Sequence, residues 1–262
     1  MNGTGHHRHQ PFTRSFYDPR MLPWLLLAIV IVVAAMAQRI TGIGFALITT
    51  PVAVLVVGAD AAVPFAATIG AVVAIGALIT SRRDLQLRRI LPLLVAAIIA
   101  MVPTLLLARV IPTGWAAIAA GTLVIGSVVV AMTARRGPMP VILGRAPVAG
   151  ALTGVAAGLA GLAGPMAAAH GTIRGWGASL VPNIQVILLI TLPFIIVGHG
   201  WPTSVEPISW IGGASAVLVG TIAGSLLASR IPMRAAVVGT RMLALAGGVA
   251  AVAQGVVLLA AG

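Results

Sequence analysis

The sequence has no cysteine and no lysine, and only four of its 262 residues carry a carboxylate side chain. The lack of cysteine excludes disulfides, thiolate metal sites and a cysteine nucleophile. Charged residues make up 8% of the chain, whereas an average soluble domain has about 25%. Because so few charges cannot cover a water-exposed surface, the composition excludes a soluble globular domain.

The chain is rich instead in apolar residues and in glycine and proline. Apolar side chains account for 60% of it, and the mean hydropathy is +1.11. The 31 glycines and 17 prolines agree with this, since both residue types are more frequent in membrane helices than in soluble ones. We therefore expect an all-α, multi-pass protein of the cytoplasmic (inner) membrane, surrounded by the lipid bilayer.

All sixteen basic residues are arginines, and the formal net charge is +12. They lie between long apolar runs rather than on one basic face, so no nucleic-acid partner is expected. The positive-inside rule predicts that the tail of residues 1–21, the loop 82–89 and the linker 135–146 are cytoplasmic. An eight-span arrangement places four further arginines on the opposite side: Arg109, Arg174, Arg230 and Arg234.

The length beyond the tail fits about eight crossings, since a span with its loop takes about 30 residues. We expect a first transmembrane repeat over residues 22–134 and a second over residues 147–262, joined by the linker 135–146. The stretch 22–57 is too long for one straight span and barely long enough for two.

The stretch 22–57 is interrupted by Gly42-Ile43-Gly44. This break predicts a broken or re-entrant segment. Irregular backbone is tolerated at membrane depth only inside protein or beside a water-filled cavity. The break is therefore the first indication of a functional site.

The two halves of the chain resemble each other. Leu106–Pro112 and Leu226–Pro232 share Leu-Leu-Ala followed by Ile-Pro, and Gly44 matches Gly164 at the same offset (164 − 44 = 120). The sequence thus predicts two homologous four-helix repeats with broken Gly-Pro segments, the usual construction of secondary transporters. Four crossings per half give parallel repeats and an odd number gives inverted ones, and the sequence leaves this choice open.

The paired Gly-rich segments 42–51 (GIGFALITTP) and 158–166 (GLAGLAGPM) resemble the motifs of the sulfite exporter TauE/SafE family. That family shows Gly-x-Gly-Gly-Gly with a following proline in its first half, and Gly-x-Gly-Gly-Pro-Pro in its second. The matching positions here are Gly42, Gly44, Pro51, Gly161, Gly164 and Pro165, whereas Phe45, Ala46, Ala163 and Met166 depart.

The resemblance implies a membrane permease for a small sulfur oxyanion or organosulfonate of the sulfite, thiosulfate or sulfoacetate type. The chemistry is compatible, because a broken helix presents free N–H groups and a positive dipole end to an anion. Glycine also lets the backbone approach a ligand closely. The candidate substrate-binding residues are Arg39, Thr41, Gly42, Gly44, Thr50, Pro51, Gly161, Gly164, Pro165, His170, Arg174, Asn183 and Gln185.

Each polar candidate also has a purely structural interpretation. Arg39 is either an anion contact or a side chain that extends from a helix end towards the interface. Asn183 and Gln185 either hold helices together or donate to the substrate, and Thr50 either donates or bonds back to its own helix. For Arg174 an exposed loop is the alternative. For Gly150, Gly154 and Gly158, spaced by four residues, we expect close helix packing.

Other function classes find little support in the sequence. The predicted spans contain no Asp or Glu, so a carboxylate relay for protons or sodium is not expected. Gly177-Ala178-Ser179 only superficially resembles an intramembrane serine protease site, and the histidines are not clustered for a metal. We expect no enzyme activity, no cofactor and no metal. An anion channel or a structural membrane subunit, with an intramembrane enzyme behind them, stay as alternatives, and a homo-oligomer is left open.

Overall fold

The computed structural model describes residues 21–133, 142–228 and 230–261. Within these three ranges the chain is almost entirely helical and contains no strand. The tail 1–21 lies outside the described residues except for its last residue. Residues 135–141 of the predicted linker also lie outside them.

Helices follow one another in a similar order of lengths in both halves. Those of the first half are α1 (Met21–Thr41), α2 (Phe45–Val57), α3 (Ala59–Ser81), α4 (Leu87–Ala108) and α5 (Thr113–Thr133). Those of the second half are α6 (Ala146–Ala160), α7 (Ala163–Ile173), α8 (Leu180–His199), α9 (Pro207–Ala228) and α10 (Met233–Ala261).

Long apolar helices make this a multi-pass membrane protein. Within the described ranges, 5 segments are long and apolar enough to cross a bilayer: Leu22–Thr41, Ala59–Asp84, Leu87–Ala108, Gly177–His199 and Pro207–Ala228. The two short helices α2 and α7, with 13 and 11 residues, are at about 1.5 Å per residue too short to cross alone.

Helices α1 and α2 form a hairpin. Its turn is Gly42–Gly44, where Gly42 has φ 83° and Gly44 has φ 120°, conformations that favour glycine. Trp24 near the start of α1 shares a hydrophobic cluster with Val57 at the end of α2. The chain therefore enters through α1 and returns through α2 to the end from which it came.

Helices α6 and α7 form a second hairpin. Gly161, with φ 70°, ends α6 in a left-handed conformation, and its N–H donates to Ala157 O at 2.8 Å. Near the end of α7, His170 Nδ1 lies 2.8 Å from the carbonyl oxygen of Leu143, which precedes α6. The end of α7 thus lies beside the start of α6, as expected for a returning helix.

Contacts between loops define two ends of the bundle. At one end the N–H of Gln86, just before α4, donates to Asn183 Oδ1 at the start of α8 (3.0 Å). We call this the arginine-rich end, because the described loops and the first turn of α4 there carry Arg82, Arg83, Arg88, Arg89, Arg145, Arg174 and Arg230. At the opposite end, which we call the tryptophan end, Arg109 Nη2 donates to Val197 O at 3.1 Å and Trp201 stacks on Trp210.

The position of the arginines differs from the eight-span expectation. Helix α1 starts at the tryptophan end, so the tail leads into the end opposite the 82–89 loop, not into the same end. Arg174 and Arg230 lie at the arginine-rich end together with that loop, whereas the eight-span arrangement separates them from it. The reason is the two hairpins, since each returns the chain to the end from which it entered.

Glycines allow several helix pairs to pack closely. Helix α6 runs parallel to α4, and a methyl group on Gly150 or Gly154 would overlap the backbone of Leu93 or Ala97. Helix α9 packs in the same way against α1, where Gly220 faces Val32. The four-residue spacing of Gly150, Gly154 and Gly158 thus serves helix packing, as the sequence indicates.

Helices α5 and α10 pack antiparallel. Gly114 near the start of α5 faces Leu259 near the end of α10, and Gly121 faces Gly248. Helices α3 and α8 are also in contact and antiparallel, since the residues that follow α3 bond to the start of α8. These two pairs and the two hairpins enclose the candidate site.

Candidate functional site

The turns of the two hairpins, which we call the first tip (Gly42–Gly44) and the second tip (Gly161–Leu162), are buried within the bundle. A Cβ on Gly42 would lie 3.2 Å from Val181 Cγ2 in the first turn of α8. A Cβ on Gly161 would lie 3.0 Å from Val63 Cγ1 near the start of α3. Each tip therefore packs against the other half of the chain, where a Cβ would force the valine to shift.

The two hairpins also touch each other. Ile43, the central residue of the first tip, places Cγ2 3.2 Å from the position that a Cβ of Gly164 would occupy. Gly164 and Pro165 are fully buried in the first turn of α7. Because glycine has no side chain, the first tip can lie directly on the second hairpin at this position.

Side-chain amides hold the first tip in place. Gln185 Nε2 on α8 donates to the carbonyl oxygen of Gly42 at 2.9 Å, and Gln38 Nε2 donates to Gln185 Oε1 at 3.1 Å. Both glutamines are buried, so each amide is costly to leave without a partner. The chain Gln38–Gln185–Gly42, which we call the amide clamp, joins the first hairpin to the second half.

Thr41 completes the first tip locally. Its Oγ1 lies 2.8 Å from Ala37 O in the last turns of α1 and 2.7 Å from Ile43 O in the tip. The Thr41 hydroxyl therefore links the end of α1 to the first tip. On the other hairpin, His199 Nε2 lies 3.0 Å from Gly158 O, in the last turn of α6.

A small central cavity lies between the tips. Gln38, Phe45 and Ala46 of the first hairpin, Gly161 of the second tip, and Thr191 of α8 contribute to its walls. Its volume is about 40 Å³, and since a water needs roughly 10–15 Å³ it holds about three waters. The second tip and the residues on either side of the first tip thus border the same small space.

A second cavity, which we call the outer cavity, lies beside α2 towards the tryptophan end and also has a volume of about 40 Å³. Ala46 lines both cavities, and the second tip lies between them with Gly161 on one side and Leu162 on the other. Ala46 and the second tip therefore lie between the outer cavity and the central one.

The outer cavity contains polar groups able to bind a solute. Thr50 and Pro51 of α2 and Gln254 of α10 line it. Gln254 Nε2 is buried and has no hydrogen-bond partner among the described residues. An amide in this state is available as a donor to whatever enters the cavity.

The cationic candidates lie away from both cavities. Arg39 Nε donates to Ser225 Oγ on α9 at 2.8 Å, on the side of α1 that faces α9. His170 is buried, lies against Leu143 O and meets Trp176 edge-on with ring centroids 5.5 Å apart. Arg174 is exposed at the arginine-rich end. The structure therefore brings none of these three to the walls of the central or the outer cavity.

The remaining amide candidate, Asn183, lies between the tips and the arginine-rich end. Its side chain is fully buried, and Oδ1 accepts from the N–H of Gln86. Its Nδ2 has no partner among the described residues. Asn183 thus fixes the loop between α3 and α4 to the start of α8.

Three polar residues that the structure places at the site are not among the candidate substrate-binding residues from the sequence: Gln38, Thr191 and Gln254. The signal existed, because an uncharged amide inside an apolar run is rare and requires a partner. Which amide reaches which tip depends on the packing of α1, α8 and α10, and the spacing along the chain does not contain this information.

Comparison with protein-family models, with curated proteins and with solved structures gives no match. Among the described residues, no three His, Asp or Glu side chains are grouped so that they could hold a metal ion.

Proposed function

We propose that the chain consists of two inverted repeats, residues 22–134 and 147–262, each with one helical hairpin and three crossings. The packing supports this, because replacing each helix of a contacting pair by the equivalent helix of the other half gives another contacting pair. The pair α4–α6 corresponds to α9–α1, and α2–α10 corresponds to α7–α5. The pairs α5–α10 and α3–α8 correspond to themselves and are antiparallel, as an axis in the membrane plane requires.

In this proposal the arginine-rich end is cytoplasmic. Most arginines of the described loops lie there, whereas Arg109 lies at the tryptophan end together with Asp60 and Glu206. Among the described loops, this distribution follows the positive-inside rule. The first hairpin then enters from outside and the second from the cytoplasm.

The function we propose is a permease for a small anion, a sulfur oxyanion or organosulfonate, of the sulfite exporter TauE/SafE type. The observation that carries it is the contact between the first tip and the second hairpin, beside a cavity that Phe45 and Gly161 line. Helix α2 begins at Phe45, which lines this cavity, and α7 begins two residues after Gly161. Each helix N-terminus carries about half a positive charge and favours an anion by about 0.3–1 kcal/mol.

A transporter fits the cavities better than the alternative of an anion channel. A channel needs a continuous pore, whereas the two cavities of about 40 Å³ are separate and narrow. A solute larger than a few waters enters the centre only when the hairpins separate. Movement of hairpins about a central site is the mechanism expected for inverted repeats.

Flux into proteoliposomes tests the proposal. We expect saturable uptake of sulfite, thiosulfate or sulfoacetate, and no uptake of an amine cation. Uptake that does not saturate indicates a channel, and no flux of any solute indicates a structural subunit.

A variant at the second tip tests whether the flux depends on it. Gly161→Ala adds a methyl group at φ 70° against Val63, and we expect at least a tenfold fall in flux, which corresponds to about 1.4 kcal/mol. Gly175→Ala is the matched control, because Gly175 also has a positive φ (62°) but has nothing within 4 Å of its Cβ position. Equal flux in both variants contradicts a role of the second tip.

A further inference from the structure

A groove separate from both cavities opens at the tryptophan end between α1, α3 and α9. Its volume is about 310 Å³. Trp24, Leu27, Ile31 and Phe65 form apolar walls. From Trp24 to Ile31 it follows α1 for seven residues, about 10 Å of helix. This length and lining suit part of an acyl chain.

A carboxylate stands at the mouth of this groove. Glu206 immediately precedes α9, is exposed, and lines the groove together with Ser209. Its side chain has no ion pair among the described residues. An unpaired carboxylate in a groove that Trp24 also lines attracts an ammonium group through its charge, and the indole ring can add a cation–π contact.

A glycine keeps the groove open. Gly212, one and a half turns into α9, lines it and has nothing within 4 Å of its Cβ position. Its neighbour Gly213 is different, since a Cβ there would lie 3.0 Å from Ile69 Cδ1. Gly213 therefore serves packing, whereas the space at Gly212 belongs to the groove.

We propose that this groove binds a phospholipid whose headgroup carries an ammonium. The ammonium lies between Glu206 and Trp24, and an acyl chain lies along α1 over Gly212. The charge at the mouth selects the headgroup, because an anionic lipid without an ammonium meets a like charge there. This site does not depend on the transported solute.

Native mass spectrometry of the detergent-solubilised full chain tests the proposal. Phosphatidylethanolamine and phosphatidylglycerol with identical acyl chains are titrated separately. We expect phosphatidylethanolamine to bind about three- to five-fold more tightly, the range of an exposed ion pair. Equal affinity for the two lipids overturns the proposal.

Two pairs of matched variants test the contact with the lipid headgroup and the contact with the acyl chain separately. Glu206→Gln abolishes the preference between the two lipids, while Asp60→Asn, a neutralised carboxylate at the same end but outside the groove, preserves it. Gly212→Leu fills the groove and weakens both lipids, while Gly126→Leu, at an exposed glycine of α5 with open space, does not. A preference that survives Glu206→Gln, or lipid binding that survives Gly212→Leu, overturns the assignment.

Discussion

The two hairpins share one backbone design but are held differently. In the first, Gln185 of α8 donates to the carbonyl of Gly42, and Gln38 donates to Gln185. In the second, the position four residues before the tip is Ala157, where the first has Gln38. An amide clamp thus fixes the first tip, and small apolar side chains surround the second.

The residue of the first half that is equivalent to Gln185 also lacks a polar side chain. Val181 touches the first tip and Val63 the second (181 − 63 = 118), and at this offset Gln185 corresponds to Ala67. Ala67 lines the central cavity and has no group to donate. We infer that the amide clamp anchors the first hairpin to the opposite half, whereas the polar contact beside the second tip, between His199 Nε2 and Gly158 O, stays within its own half.

Removing the clamp is expected to have the largest effect. Gln185→Leu leaves the Gly42 carbonyl and the Gln38 amide unpaired in a buried site, which costs about 1–3 kcal/mol of stability. We expect a lower melting temperature in detergent and at least a tenfold fall in flux. Gln86→Leu is the control, because the Gln86 side chain is exposed and only its backbone N–H is bonded. Equal melting temperatures for the two variants would refute an anchored first tip.

A smaller effect is expected at the other glutamine. Gln38→Leu leaves one buried group, Gln185 Oε1, unpaired instead of two and keeps the bond from Gln185 to the tip, so we expect a cost of about 1 kcal/mol. The melting temperature should therefore fall less than in Gln185→Leu. A larger fall would mean that Gln38, not Gln185, carries the clamp.

The smallest effects are expected from the two arginines beside the hairpins. Arg174→Gln changes an exposed side chain, and we expect flux within twofold of the wild type. Arg39→Gln removes the bond to Ser225, and we expect a fall below tenfold, which is less than about 1.4 kcal/mol. A fall well beyond tenfold in Arg39→Gln, with weaker substrate affinity, would identify Arg39 as an anion contact.

The sequence predicts where helices are interrupted better than it predicts whether the chain then continues or turns back. Gly42, Gly44, Gly161 and Pro165 mark both tips, because a left-handed turn and an interrupted helix require these residue types. Hydropathy does not indicate whether a 13-residue apolar helix continues or returns. The eight-crossing prediction counts each hairpin as a crossing, whereas the arrangement proposed above returns the chain at both.

The sequence also does not predict the hydrogen-bond partners of the polar candidate residues. Gln185 was selected because an amide inside an apolar run requires a partner, but its bond to Gly42 spans 143 residues of sequence. Arg39 was selected because it lies three residues before the tip, yet it faces α9. At 3.6 residues per turn, successive residues point about 100° apart, so Arg39 lies on a different face of α1 from Gln38, which lines the central cavity.

The central claim is that the two hairpins enter from opposite ends, and single-cysteine labelling tests it most directly. In this cysteine-free chain, Gln86→Cys, Arg174→Cys and Thr203→Cys each add one thiol at an exposed position. We predict that an impermeant maleimide added to intact cells labels position 203 and leaves positions 86 and 174 unlabelled until the membrane is opened. Labelling of position 174 from outside, with position 86 protected, would contradict the account, because the second hairpin would then be a crossing.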